Sequence, residues 1–333
     1  MSHLRPLILL FAAGFISSIS AAQQVPMYSQ YIMNGFLVNP SLAGRDGLTT
    51  LNLTVREQWV GLPDAPSTYA VSFQTRILKD SYISRSTTVQ SRPVRPTKGG
   101  RVGVGGYIFN DRNGIMRRTG AQATYAYHIP LGETNGITNN LAFGLAMTFY
   151  QFAINTEGLI FDQNDSYLNN YDRSVFIPDF NFGVSYSTSG YYAGFAMTNL
   201  LRGRIVFANT SEDERSPELG HYYLTGGIKI PLAARWVLEP SAFIRASDLF
   251  LTSLQFDLTS RIYYNENYWA GLSWRSDDAI IPMFGIKYDR FYFAYAFDFA
   301  LTDIRKHSFG SHEITLAVKF GENARRYRWI NAY

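Results

Sequence analysis

From Thr49 to the end of the chain, apolar and polar residues alternate in runs of about ten, each closed by a turn signal. Residues 49–59 set the pattern. Leu51, Leu53, Val55 and Trp59 fall on one face; Asn52, Thr54, Arg56 and Gln58 fall on the other. A period of two is the period of a β-strand. The alternation recurs over residues 68–76, 102–110, 115–128, 141–150, 180–187, 191–198, 222–230, 236–245, 251–263, 268–275, 280–288, 291–299 and 312–320. Within 141–150, Leu141, Phe143, Leu145, Met147 and Phe149 oppose Ala142, Gly144, Ala146 and Thr148. Within 291–299, five aromatic residues from Phe291 to Phe299 oppose Tyr292, Ala294, Ala296 and Asp298.

The pattern predicts fourteen strands. Their lengths cluster near the ~9–11 residues that a tilted strand needs to cross a bilayer. Asp111-Arg112-Asn113-Gly114 supplies a hairpin, since Asn-Gly tolerates positive φ. If the chain starts in the periplasm, the loops after odd-numbered strands lie outside. These include 155–174, 201–217 and 300–311, all long. The opposite set, 188–190, 231–235, 265–267 and 289–290, is short. The polar stretch 77–100 is the exception to this sorting. Long outside and short inside, with an even strand number, is the pattern of outer-membrane barrels. The expected fold is therefore all-β: a transmembrane up-and-down antiparallel β-barrel with both termini in the periplasm. A soluble β-sandwich also alternates, but it does not need this loop asymmetry or so many aromatics at strand ends.

Residues 23–44, QQVPMYSQYIMNGFLVNPSLAG, break the pattern. They are neither helix-periodic nor alternating. Tyr28, Tyr31, Met33, Phe36, Leu37 and Val38 stand among Ser29, Gln30, Asn34 and Asn39, between Pro26 and Pro40. Such a segment buries aromatics on a surface made by something else, because so many would not be left in water. Pro26 and Pro40 hold it away from helix, and its asparagines satisfy backbone groups at turns. It is expected to dock at the periplasmic mouth of the barrel or to enter its lumen as a plug. The candidate contact residues are Tyr28, Gln30, Tyr31, Asn34, Phe36, Asn39 and Pro40, with Tyr28, Tyr31 and Phe36 as anchors.

Ahead of it, residues 1–22 read as a secretory signal peptide: Arg5, an apolar run over 7–16, then Ser20, Ala21 and Ala22. The run is too short for a spanning helix, and no later run of 18 apolar residues exists. The expected organisation is signal peptide 1–22, lead segment 23–47, barrel 48–320 and periplasmic C-terminal tail 321–333.

Composition agrees. Aromatics reach 16% and charged residues only 17%, against a usual ~25% charged. Mean hydropathy is nonetheless −0.11. Strands apolar on one face and polar on the other give that combination. A net charge of +4 is too small to argue for nucleic acid. The absence of cysteine removes disulfides, thiolate metal sites and a lipobox.

Little in the chain points to catalysis, and neither enzymatic activity nor a cofactor is expected. His128, His221, His307 and His312 are not spaced as a metal pair on one element. Ser311 and His312 are sequence neighbours, so on a strand they face opposite ways and cannot act as nucleophile and base. Asp162, Asn164 and Asp165 resemble the start of a calcium loop, but its Gly and terminal Glu are replaced by Tyr167 and Arg173. Gly103, Gly105 and Gly106 lie in a strand, and small residues thinning a barrel wall explain them better than a nucleotide loop. Arg325, Arg326 and Arg328 suit a solvated tail or contacts with anionic lipid.

The predicted inward positions are more informative. Arg56, Arg76, Glu239, Arg245, Asp257, Arg261, Arg275, Asp298 and Glu313 all fall there, with Gln74, Lys229 and Lys319. Both signs are mixed. A diffusion pore favours one sign at its constriction; mixed charge suits a paired network filling or bracing the interior. The inward glycines and alanines leave room for a plug, for which residues 23–44 are the candidate.

Several stretches resemble the PorP/SprF family. Ser29-Gln30-Tyr31, Asn34, Asn39-Pro40 and Ala43-Gly44 match its N-terminal signature. Arg56-Glu57-Gln58-Trp59 with Pro66, the stretch from Gly105 through Asp111 to Gly114, the 271–275 strand and Gly310-Ser311-His312-Glu313-Ile314 follow in the family's order. The chain departs at Gly35, where the family carries a bulkier run, and in residues 321–333, which extend past the last strand. The resemblance implies an outer-membrane barrel of the type IX secretion system of Bacteroidetes, linked to gliding motility. It implies secretion-system partners on the periplasmic side and secreted adhesins with C-terminal targeting domains, alongside outer-membrane lipid. An uptake channel for a small hydrophobic or oligomeric substrate is the alternative, and a membrane phospholipase a third.

Overall fold

Alternation puts Leu51 and Leu53 of the first strand outside and buries Asn52, Thr54 and Arg56. The same division continues around a closed antiparallel barrel in the computed structural model. The structure describes residues 27–77, 101–134, 137–154, 174–201, 204–205, 216–217, 220–233, 235–247, 254–265 and 267–321. The expected signal peptide, residues 23–26, the calcium-like stretch, the stretch 78–100 and the tail from 322 lie outside the described residues.

The staves are β1 (Thr49–Glu57), β2 (Ser67–Ile77), β3 (Val102–Asn113), β4 (Met116–Thr134), β5 (Ile137–Ile154), β6 (Ser174–Ser187) and β7 (Tyr191–Thr198). Then come β8 (His221–Ile228, continued past Lys229 as Ile230–Ala233), β9 (Trp236–Ala246), β10 (Leu254–Tyr264), β11 (Tyr268–Arg275), β12 (Ala279–Tyr288), β13 (Phe291–Ala300) and β14 (Ser311–Phe320). Each pairs with its sequence neighbours, and β1 pairs with β14 from Thr49↔Phe320 to Glu57↔His312, closing a barrel of 14 strands. Closure leaves no edge strand and satisfies the backbone within the wall, as a bilayer demands.

The outer face is apolar. Leu145 is 58% exposed and Ala146, its inward neighbour, 3%. Trp236, Tyr264, Tyr268, Tyr288 and Phe291 are exposed where their strands meet the Thr49 end of the barrel, with Trp236 and Tyr264 rings 4.7 Å apart. This is the aromatic girdle expected at a membrane interface.

Three strands run well past the limits their patterns predict. β4 and β5 continue beyond residues 128 and 141 because a register shift between Pro130 and Gly132, with Gly132 at φ 149°, lets the ladder pass the proline. β6 starts at Ser174 rather than near residue 180. Its Pro178 pairs with Phe149 on β5, while β7 reaches β6 only from Phe182 to Ser187. Pro178 therefore removes no ladder hydrogen bond on that side.

Candidate functional site

Residues 27–48 lie within the barrel. Two short turns of 3-10 helix, Gly35–Leu37 and Pro40–Leu42, are the regular structure among them. Pro40 opens the second turn with its fixed φ, and Asn39 caps it by accepting the Ser41 amide at 3.0 Å. Short amide bonds bend the rest: Met33 N–H donates to Gln30 at 2.9 Å and Ala43 N–H to Pro40 at 3.1 Å. Tyr31, Phe36, Asn34 and Asn39 are all at most 4% exposed. Met27 and Ser29 contact strand ends at the Glu57 end, while Asp46 and Leu48 reach the Thr49 end. The segment thus traverses the lumen.

At the Glu57 end a buried charge cluster holds it. Arg56 donates to Asp298 at 2.7 Å and to Glu313 at 3.2 Å. Arg275 donates to Asp257 at 3.0 Å and to Asp298 at 3.2 Å. Ser29 is the centre of this group. Its hydroxyl donates to Asp298 at 2.8 Å and accepts from Arg56 at 2.9 Å and Arg275 at 3.2 Å. The Ser29 and Gln30 amides donate to the two oxygens of Glu313 at 2.7 and 2.9 Å, and the Gln30 side-chain amide donates to the Glu313 carbonyl at 2.9 Å. With a single partner, a buried ion pair loses more in desolvation than it gains in attraction; this one has further hydrogen bonds on both members, which offsets that loss.

Midway, the Tyr31 ring stacks on Phe243 at 4.4 Å, and its hydroxyl lies 3.3 Å from Thr259. Phe36 meets Tyr107 edge-on at 6.0 Å. Asn34 donates to Thr54 at 3.3 Å and Ser72 at 3.4 Å. Asn39 donates to the carbonyls of Val184 on β6 at 3.2 Å and Phe195 on β7 at 3.3 Å, bridging two staves. Nearby, Arg261 donates to Glu239 at 2.7 Å, and so does the Tyr192 hydroxyl at 2.9 Å.

Toward the Thr49 end, Arg76 donates to the Gly44 carbonyl at 2.7 Å and the Arg45 carbonyl at 2.9 Å, and Lys319 pairs with Asp46. His128 Nε2 faces the Ala43 carbonyl at 2.9 Å. A carbonyl only accepts, so Nε2 carries the proton and Nδ1 accepts from Asn140 at 3.0 Å.

The structure therefore brings Arg56, Asp257, Arg275, Asp298 and Glu313 into one cluster, Glu239 and Arg261 into a second, and puts Arg76 on the segment's backbone. Arg245 stands apart: its guanidinium meets the Gln255 amide oxygen and the Met27 sulfur, and it forms no ion pair among the described residues. Ser311 is buried and accepts the Trp59 amide at 3.1 Å, while His312 faces outward onto Tyr295 at 2.7 Å. They are not placed to act together.

Sequence reasoning named the lining charges and read the inward glycines and alanines as room for a plug; the structure shows which of them the segment meets. A Cβ on Gly103 would stand 1.9 Å from the Ala43 carbonyl oxygen, on Gly144 2.3 Å from the Pro40 carbonyl carbon, and on Gly183 2.0 Å from the Asn39 side-chain oxygen. These wall positions admit the lead segment only as glycine. Ser72, His128 and Tyr192 carried no signal in the sequence.

Cavities remain among the described residues. One of about 90 Å³ lies toward the Glu57 end, between Tyr28, Leu37 and Val38 of the segment and the walls of β3–β9. A smaller one of about 30 Å³ lies toward the Thr49 end, beside Met33, Asp46 and Lys319.

The family model described as type IX secretion system membrane protein PorP/SprF matches residues 20–318. No curated protein matches the chain. Among solved structures, the toluene transporter TbuX of Ralstonia pickettii is similar at 11% identity and TM-score 0.43, over 87% of this chain and 92% of that one. A mutant of Rh. blastica porin is similar at 8% identity and TM-score 0.32, over 82% of this chain and 99% of that one.

Proposed function

The chain belongs to the type IX secretion system membrane protein PorP/SprF family, and from that premise we propose that it supports secretion or surface anchoring of adhesins bearing C-terminal targeting domains. Family membership and the closed barrel make it an outer-membrane component of that system, with other secretion components as its implied partners. The finer reading is that it works by binding, without catalysis: periplasmic secretion proteins on one side and the cargo adhesin on the other, with gliding motility as a consequence. Residues 27–48 form a resident plug in this reading, and the charge cluster at the Glu57 end braces it.

The observation that carries the reading is the lumen itself. A barrel filled from end to end by its own chain, and held by buried ion pairs and backbone contacts, suits a docking platform better than a diffusion pore. The uptake-channel reading draws on the cavity near the Glu57 end, but passage to the other cavity requires the segment to move. Purification from native outer membranes tests the proposal. It predicts a co-purifying polypeptide with a C-terminal targeting domain, and loss of that polypeptide from the cell surface when the gene is deleted. Unchanged surface adhesins in the deletion strain would contradict it.

A further inference from the structure

We propose that the cavity near the Glu57 end is a binding site for a monoanionic carboxylate carrying a flat apolar body. Its walls are rings. Tyr107 and Phe109, 5.8 Å apart, stand on one side. Tyr223 and Phe243, stacked at 5.8 Å, stand on the other. Leu37 and Val38 of the lead segment also line it. Such a slot takes a planar group on its faces and excludes water from it.

The charge follows from what lines the slot. Arg118 and Arg245 both border it. Arg118 lies directly opposite Asp111 in the β3–β4 register, and its guanidinium stacks over Tyr150 and Phe152 at 6.0 and 5.7 Å. Arg245 has the Gln255 amide oxygen and the Met27 sulfur, and no carboxylate within ion-pair distance among the described residues. The cavity thus holds one cation in excess. A half-buried guanidinium with no carboxylate in hydrogen-bond reach is stabilised by an incoming one, which it can hold through two parallel N–H bonds. A dianion such as a phosphate monoester would leave one charge unmatched. The Asn181 and Thr148 side chains also line the site, and their hydrogen bonds to Gln122 and to each other fix them in place.

The site is built partly from the lead segment, so occupancy and seating of the segment are linked. A ligand touching Tyr28, Leu37 and Val38 favours the docked state. The same chemistry arises in a free aromatic acid and in the C-terminal residue of a polypeptide.

The test uses the purified full chain in detergent micelles. The probes are 3-phenylpropionate, its uncharged alcohol 3-phenylpropanol, and a tetrapeptide ending in phenylalanine as free acid or amide. Isothermal titration should show one saturable site for at least one acid, and binding at least tenfold weaker for the matching uncharged form. Arg245→Gln, checked for heat-modifiable gel migration as a folded barrel, should lose at least tenfold for the acid and little for the uncharged form. The acid should also slow protease cleavage within residues 27–48. Binding of the small acid alone identifies a free ligand, and of the peptide acid alone a polypeptide terminus. Absence of saturable binding by either acid, or equal binding of acid and uncharged form, overturns the proposal. The acid comparison in the unaltered chain decides the matter even if Arg245→Gln does not fold.

Discussion

Arg56 and Glu313 face each other across β1 and β14, the seam that closes the barrel, and their side chains meet at 3.2 Å inside the lumen. The same Glu313 carboxylate receives the Ser29 and Gln30 amides. One ion pair therefore joins closure of the wall to seating of the lead segment.

Removing one member leaves the other buried and uncompensated. Arg56→Met is expected to destabilise the barrel by about 3–5 kcal/mol. Arg56→Met combined with Glu313→Leu should cost less than the two single changes together. Guanidinium unfolding in lipid vesicles, followed by fluorescence of the 5 tryptophans, measures all three.

Tyr31→Ala with Phe36→Ala removes the two buried anchor rings, each worth roughly 2–3 kcal/mol of burial. The segment should come loose and be cut within residues 27–48 by added protease. The barrel should keep its heat-modifiable migration, because these rings belong to no stave. Unchanged cleavage would show that the rings do not hold the segment.

Gly103→Ala and Gly144→Ala place a methyl group where the lead segment's backbone now sits, 1.9 and 2.3 Å away. Alanine is acceptable in a strand, so the barrel should fold and the segment should be displaced. Gly190→Ala, where a Cβ meets nothing within 4 Å, is the control. Protease accessibility of residues 27–48 should rise for the first two and not for the third.

How much of this was legible in the sequence depends on periodicity. Alternation in β5 and β13 assigned inward and outward faces from residue types alone, and it placed Arg56, Arg275, Asp298 and Glu313 in the lumen. It stopped short of Pro130, Gly132 and Pro178, where a bulge and a one-sided ladder let the strands continue. The path of the lead segment was not legible. Without periodicity, its route is set by which wall positions are glycine and by single contacts such as Asn39 to Val184 and Phe195, and these pairings exist only after the staves are registered.

The path gives a prediction of its own. Met27 and Gly47 lie at opposite ends of the barrel. The chain has no cysteine, so single cysteines introduced there report without background. With β1 running outward from the periplasm, the described start of the segment lies toward the outside and not at the periplasmic mouth, so Met27→Cys, 8% exposed, should be labelled slowly by a small membrane-impermeant maleimide in whole cells and Gly47→Cys only after lysis. The reverse labelling would invert the barrel.

Conductance tests the closed lumen most directly. The purified chain in a planar bilayer should be electrically silent, and a variant lacking residues 27–44, or the Gly103→Ala variant, should open in discrete, stable steps. The same steady conductance in the unaltered chain and in the variant lacking residues 27–44 would contradict the account.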